Sequence, residues 1–488
     1  MNKLIALIVS GCVMAGAAFA ADEPSAIAAD PASPPPKLRP PRVLRRRGST
    51  PEDGSRKGDG LGTLDFRQVV SRAKDQVFPA VVFIKCIRET HEMGKKISQE
   101  MSGSGVIVNP TGEMLTNWHV VDKAVEVRCL LFDGRPVQAK VLGSDKDTDL
   151  ALLQLELPPD SDPLPYAKLG DSTKLKEGDF VMAMGAPWGL TRSVSIGIVS
   201  CTRRFLPDKS EYSLWLQTDA AICPGNSGGP LVNTAGEVVG VNTLASMVGG
   251  DMGFAIPSET VRCIVPHLRE HGKANWSWTG LQLQALRDFN RNMYFEGEEG
   301  VIVAETDPES PARLAGIEVR DRIVKIDGAP LTALTEEALP AVRRAIGLLA
   351  KYKPVKIELI RNGETTTVEL TPREKGDVEG EELDCPRWDL TIKEINQFDN
   401  PDLHFYRKKG VFVYGVKQPG NAQAAGLRPQ DIVLKIGAKQ VAALAEVKAV
   451  HKASLENVRT DHRIVFTVLR NGLMRMVVLD FARDYEKH

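Results

Sequence analysis

The sequence predicts a mainly β chain, two β-barrels followed by two copies of a smaller α+β unit, on three observations. Between residues 81 and 242 short β-rich runs recur, separated by turn residues such as Asn109-Pro110-Thr111-Gly112, Asp133-Gly134 and Ala235-Gly236-Glu237, with no helices alternating between them. Many short strands of this kind build an antiparallel Greek-key domain rather than a parallel sheet. Beyond residue 276 one unit occurs twice. Gly300-Val301-Ile302-Val303, Asp321-Arg322-Ile323-Val324-Lys325-Ile326 and Asn362-Gly363 return as Gly410-Val411-Phe412-Val413, Asp431-Ile432-Val433-Leu434-Lys435-Ile436 and Asn471-Gly472. The intervals agree, 410 − 300 = 110 and 471 − 362 = 109. Finally, 488 residues, 42% apolar and 26% charged, suit about three globular domains.

Residues 1–20 hold Lys3, an apolar run from Leu4 to about Ala17, and Ala18-Phe19-Ala20. This is a signal peptide, too short to span a bilayer, so the expected location is the bacterial envelope, periplasmic or otherwise exported. Val9-Ser10-Gly11-Cys12 supports a competing reading, a lipobox that would anchor the chain through Cys12. Residues 21–64 carry Pro34-Pro35-Pro36, Pro40-Pro41 and Arg45-Arg46-Arg47 with little to bury, hence a disordered leader whose arginines are a solvated charge run or touch anionic envelope polymer. A net charge of −1 gives no reason to expect nucleic acid as partner. Six cysteines survive cleavage, none in a CxxC pair, and buried free thiols are expected for most.

The barrel domain is expected over 65–272. It opens with an amphipathic helix from Phe66 to Val77; strands follow near 81–87, 105–108, 126–132, 137–142, 150–155, 180–184, 193–201, 214–218, 230–232 and 238–242, and a helix over 261–271 closes it. A linker at 275–279 precedes the first repeated unit (276–374), and an acidic linker over 374–382 precedes the second (383–488).

Chemistry concentrates in Gly225-Asn226-Ser227-Gly228-Gly229-Pro230. A hydroxyl that must reach a carbonyl carbon needs a backbone free of bulky neighbours, and the N–H groups around Gly225, Asn226 and Ser227, those of Gly225 and Ser227 foremost, can converge on an oxyanion. The plain alternative is a glycine-rich turn between strands. Serine needs a base, and the base an orienting group. Thr116-Asn117-Trp118-His119-Val120-Val121 supplies His119, and Thr148-Asp149-Leu150-Ala151-Leu152-Leu153 supplies Asp149 at a strand start. The order His119, Asp149, Ser227 is that of chymotrypsin.

These three motifs resemble the HtrA (Deg) family of serine proteases, from about Asp65 to the C-terminus. The resemblance implies a chymotrypsin-like double barrel and, for the repeated units, two circularly permuted PDZ domains. It implies His119 as general base, Asp149 as its orienting group and Ser227 as nucleophile; it also implies homotrimers or higher homo-oligomers. Trp118 and Cys223 depart from the family's commonest residues. Loops 243–252 and 202–212 are candidate activation loops, with Arg204 as candidate sensor.

Six residues before the nucleophile, Ala221 is the expected floor of the specificity pocket, with Ile222, Thr243 and Leu244 around it; without an acid there, cleavage after Val, Ala or Ile is expected. A PDZ domain takes a peptide C-terminus as an added strand, with loop N–H groups on the carboxylate. Thr279, Gly280, Leu281 and Gln282 fit that loop, unless the segment is only a core strand. In the second copy Pro386-Arg387-Trp388-Asp389-Leu390 lacks the glycine and carries an acid that should repel a carboxylate. The expected activity is ATP-independent proteolysis of unfolded or damaged envelope proteins, with a holdase, a peptide-binding scaffold or a site-specific regulatory protease as alternatives. Nothing in the sequence points to a metal or cofactor.

Overall fold

The computed structural model describes residues 66–92, 95–187, 192–206, 209–246, 252–288, 293–456 and 458–485, without the side chains of 91, 92 and 244–246. The signal peptide, leader and Cys12 fall outside them. The described residues belong to one compact unit.

Helix α1 (Phe66–Val77) forms where its periodicity predicts, with Ala73 and Val77 buried against the first barrel. That barrel comprises β1 (Val81–Glu92), β2 (Lys95–Ile107), β3 (Glu113–Asn117), β4 (Ala124–Leu130), β5 (Pro136–Asp145) and β6 (Leu150–Leu155), closed in the order β1-β2-β3-β6-β5-β4. One helical turn, α2 (Trp118–Val121), follows β3. Strand β6 is apolar at both parities because both of its faces are covered: Leu150, Ala151, Leu152 and Leu153 are all buried. The β1–β2 hairpin runs far past its expected ends. Its outer half is charged, and cross-strand pairs Lys85–Glu100 (2.8 Å) and Lys96–Glu89 (2.6 Å) hold it instead of a core.

The second barrel, β7 (Phe180–Gly185), β8 (Ser193–Phe205), β9 (Leu214–Thr218), β10 (Pro230–Asn233), β11 (Val238–Ser246) and β12 (Met252–Pro257), closes in the order β10-β11-β12-β9-β8-β7. Helix α3 (Ser258–His271) starts three residues earlier than expected and lays Val261, Ile264 and Leu268 into the core cluster shared with the first barrel. It ends on Gly272 at φ +72°, a left-handed cap.

The expected linker at 275–279 is instead packed. Trp276 is buried, its Nε1 donates to Asp145 Oδ1 (3.0 Å), and its ring stacks on Tyr212 at 4.4 Å. Burial, then the charge of Asp147, pushes the Asp145 carboxyl up to about 6. Lys375, from the far end of the first repeated unit, donates to Asp147 (2.7 Å) and to the Tyr212 hydroxyl (3.4 Å), so that unit is fastened to the barrels at both ends.

The two repeated units share one architecture. The first orders its sheet as Leu281–Gln284, Val301–Thr306, Arg322–Ile326, Val355–Arg361, Glu364–Leu370, flanked by helices Pro311–Leu314 and Leu339–Gly347. The second runs Leu390–Glu394, Val411–Val416, Ile432–Ile436, Arg463–Arg470, Leu473–Asp480, with helices Pro401–Tyr406, Asn421–Ala425 and Leu444–Glu456. Registers coincide at the predicted offset: Arg322 faces Ile360, and Ile432 faces Leu469. The second unit has one strand more. Glu382–Cys385 pairs antiparallel with Leu390–Glu394 on its outer edge, so the acidic linker ends as part of a sheet.

Candidate active site

His119, Asp149 and Ser227 come together between the two barrels. Asp149 stands just before β6 at φ +55°, a left-handed conformation that short polar side chains tolerate. Its main chain is fixed by Trp118 N–H (3.0 Å) and Asn117 Nδ2 (3.2 Å), both donating to its carbonyl. Its carboxylate accepts from His119 Nδ1 (2.9 Å to each oxygen), from the His119 N–H (3.1 Å) and from the Thr243 hydroxyl. With Nδ1 donating, the neutral imidazole presents Nε2 as an acceptor. Asp149 is mostly buried and His119 about a third exposed, so the pair is open to solvent only on the imidazole side.

Ser227 lies in the loop between β9 and β10, and its hydroxyl donates to the Thr243 carbonyl at 3.0 Å. Thr243 therefore serves two members at once, hydroxyl to Asp149 and carbonyl to Ser227. The loop is clamped from the first barrel: Ser104 N–H donates to the Ser227 carbonyl (2.8 Å), Ser104 Oγ to the Gly225 carbonyl (2.6 Å), and Thr116 Oγ1 to the Ser104 carbonyl (2.8 Å). Such close approach leaves no room for a side chain at Gly228, where a Cβ would lie 2.1 Å from the Ser104 carbonyl oxygen at φ +84°.

Gly225, at φ +101° after Pro224, closes a turn in which Asn226 N–H donates to the Cys223 carbonyl (2.9 Å). Of the three expected oxyanion donors, Asn226 thus spends its N–H in the turn, while those of Gly225 and Ser227 meet no acceptor among the described residues. Around the expected pocket, Ala221 is exposed and its carbonyl accepts from Ser195 Oγ (2.6 Å). Ile222 packs instead into the second barrel's core with Ala220 and Leu216, because alternate residues of an extended segment face opposite ways. Thr243 is buried on Asp149, and the Leu244 side chain is outside the described residues. Arg204 lies on β8 rather than in a loop, its Nε donating to Gln217 Oε1 (2.9 Å). Sequence reasoning missed Ser104, Thr116, Ser195 and the double role of Thr243; the small-residue run Ser102-Gly103-Ser104-Gly105 before an apolar strand was the available signal for Ser104.

Among the described residues, Cys86, Cys129, Cys201, Cys223, Cys263 and Cys385 are all free thiols, and burial pushes Cys86 and Cys129 up to about 12.

A second site is the outer edge of Leu281–Gln284. Gly280, at φ +71°, gives its carbonyl to Asp307 N–H (2.8 Å), and Thr279 gives its carbonyl to Ala312 N–H (3.0 Å), which fixes the loop before the strand. That edge opens into a cleft of about 790 Å³ whose other walls include Arg343 and Ile346 of helix Leu339–Gly347. In the second unit the matching carbonyls of Asp389 and Trp388 accept from Lys417 and Ala422, but Asp389, at φ +58°, also turns its own carboxylate onto the Asn421 N–H (2.9 Å).

A trypsin-like peptidase domain matches residues 103–241 and a PDZ domain matches residues 278–371. The chain is similar to a probable periplasmic serine endoprotease, DegP-like, of Halomonas elongata, with 34% identity over 391 residues, 78% of this chain and 79% of that protein. A protein of the same description from Pseudomonas savastanoi pv. phaseolicola is 36% identical over 383 residues, 76% of each chain. Among solved structures, the HtrA-type protease AlgW with a tripeptide is 30% identical and superposes with a TM-score of 0.55, covering 63% of this chain and 97% of that one.

Proposed function

The chain belongs to the HtrA family of periplasmic serine endoproteases, and on that premise we propose that Ser227 is its nucleophile, His119 its general base and Asp149 the group that orients His119. The observation that carries this is the bonding of Asp149, whose carboxylate takes His119 Nδ1 and the Thr243 hydroxyl together while the Thr243 carbonyl takes the Ser227 hydroxyl, so that one residue ties aspartate to serine and Nε2 is left as the acceptor of the pair. A substrate carbonyl entering the cleft draws the Ser227 hydroxyl off Thr243. Nε2 takes its proton as Oγ attacks, and the N–H groups of Gly225 and Ser227 receive the oxyanion. The imidazolium then protonates the leaving amine, and water repeats the sequence on the acyl-enzyme.

The substrates we propose are unfolded or damaged envelope proteins, cut after Val, Ala or Ile in a pocket floored by Ala221, where no acid stands to pair Lys or Arg. Their C-termini are held at the edge of Leu281–Gln284 with the carboxylate at Gly280. Homotrimers are the proposed assembly, for which the exposed aromatic pair Phe66 and Phe180, 4.7 Å apart, offers an apolar surface.

Wild type and Ser227→Ala incubated with denatured casein, with fragments sequenced by mass spectrometry, test the reading. The expected result is a loss of about 10⁴-fold or more in the variant and wild-type fragments ending in small aliphatic residues. Casein digestion by Ser227→Ala at the wild-type rate excludes the proposed nucleophile, and ends dominated by Lys and Arg exclude the pocket.

A further inference from the structure

The groove that the first PDZ domain offers to a peptide is walled on its far side by the second, and we propose that helix Pro401–Tyr406 and the turn after it form part of the peptide site. They would favour ligands with an acidic residue upstream of an apolar C-terminus. This rests on the reading of Leu281–Gln284 as a C-terminus-binding edge.

A single cleft of about 790 Å³ is lined by Gly280, Leu281 and Arg343 from the first domain and by Phe398, Phe405 and Lys408 from the second. The second domain's wall is therefore close enough to touch whatever lies along the strand edge. The first domain's charge is felt at this wall: burial, then Lys408, lowers the His404 imidazole, while Glu309 from the first domain's loop opposes them.

Two properties of that wall select a ligand. Phe405 is 79% exposed, and an exposed phenylalanine lining a cleft beside an open strand edge gives an apolar side chain of the incoming peptide something to cover. The wall's charge is cationic. Its acid, Asp399, is already paired with Lys393 at 2.9 Å, whereas Lys408 enters no ion pair among the described residues. Arg343, across the cleft, donates only weakly to the Leu283 carbonyl (3.5 Å) and leaves most of its guanidinium for a ligand. Asp307, Glu211 and Asp147 also line the cleft, but on the first-domain and barrel walls, Asp147 being already taken by Lys375 (2.7 Å), so an acidic ligand residue is favoured next to Lys408 in particular.

The test uses the full chain carrying Ser227→Ala, to prevent cleavage, and fluorescein-labelled decapeptides ending in Val with Glu, Ala or Lys at the fourth to seventh residues from the end, read by anisotropy. An exposed ion pair is worth up to about fivefold, so the Glu peptide is expected to bind about that much tighter than the Lys peptide, and Lys408→Ala should erase the ratio. Phe405→Ala should weaken all three peptides by about three- to tenfold. Amidated copies separate the two levels of the argument. If amidation abolishes binding while both variants bind all peptides as the parent does, the composite wall is overturned and the groove stands. If amidation changes nothing, the groove reading falls and this inference with it.

Discussion

Among the described residues, the strand Leu281–Gln284 of the first PDZ domain has a single sheet neighbour, and its counterpart Leu390–Glu394 in the second has two. Although the second core is built around Trp388, Phe466 and Phe481 where the first is aliphatic, the order of strands and even the carbonyl bonds of the preceding loop are otherwise matched. The difference lies in four residues of the connecting segment, Glu382–Cys385, which occupy the position an incoming peptide would take. They are held there by Glu382, which pairs with Lys123 of the first barrel (3.0 Å) and Lys393 (3.4 Å). A sheet edge can add a strand only while it is unpaired, so on the proposed reading of the first copy the second is a structural module built on the same strand order.

Exchanging the loop residues should break the comparison in one direction only. Gly280→Val puts a Cβ about 2.2 Å from that of Ser310, at a φ of +71° that valine avoids. About 2 kcal/mol or more of strain is expected, lowering affinity for carboxylate-ended peptides roughly 30-fold or more by anisotropy. The mirror change, Asp389→Gly, should create no binding because the added strand still covers the edge; peptide capture by that variant's second domain would show that the loop, not the edge, decides.

A smaller effect should be equal in the two copies. Arg361 holds the buried Asp321 (2.7 Å) as Arg470 holds the buried Asp431 (2.6 Å). Replacing either aspartate by Ala orphans the N–H groups of Glu318 or Arg428 and strips the arginine of its anion, at a cost of about 2–3 kcal/mol in each domain. Native-state hydrogen exchange of the paired strands reads each domain separately. A cost confined to one copy would mean that their frameworks are less alike than their registers.

A further effect, spread over about two pH units, concerns how the first domain is anchored. Asp145 titrates at about 6 rather than its ordinary 3.8, so between those values the folded state keeps a proton that the unfolded chain gives up. Raising the pH through that window therefore costs stability, by up to about 1.4 kcal/mol per unit. The thermal midpoint of Asp145→Asn minus that of wild type should rise from pH 4 to pH 6 and level off above; a flat difference would mean that Asp145 is not buried at the junction in solution.

Most of the fold was legible in the sequence, because barrel strands and the PDZ repeat bury apolar residues at regular spacing and end on turn residues. The outer β1–β2 hairpin was not: Glu89 and Lys96 pair across its strands beside other charged residues, and polarity there reads as loop. Nor was the strand Glu382–Cys385, whose acidic surroundings suggest a tether until Lys123 and Lys393 are seen opposite. At the site, His119, Asp149 and Ser227 were legible from motif and order. Ser104 and Thr116 were not, since they act through hydrogen bonds to main-chain carbonyls, Ser104 across the barrel interface and Thr116 by holding Ser104 within the first barrel. Ile222 misled because one residue's shift along an extended segment exchanges pocket for core.

The buried Trp276 has a consequence for how fast a captured chain is cut. A binding module on a loose string would search a wide volume and present its cargo at an effective concentration set by the string. Here the tryptophan, locked by Asp145 and Tyr212, removes that slack at the junction, so on the proposed reading the tether that matters is the substrate's own unfolded chain. The local concentration of cleavable bonds at Ser227 then depends on how many disordered residues the substrate has between its C-terminus and its folded part. Short tails would reach poorly, and long ones would be diluted by roughly the three-halves power of their length.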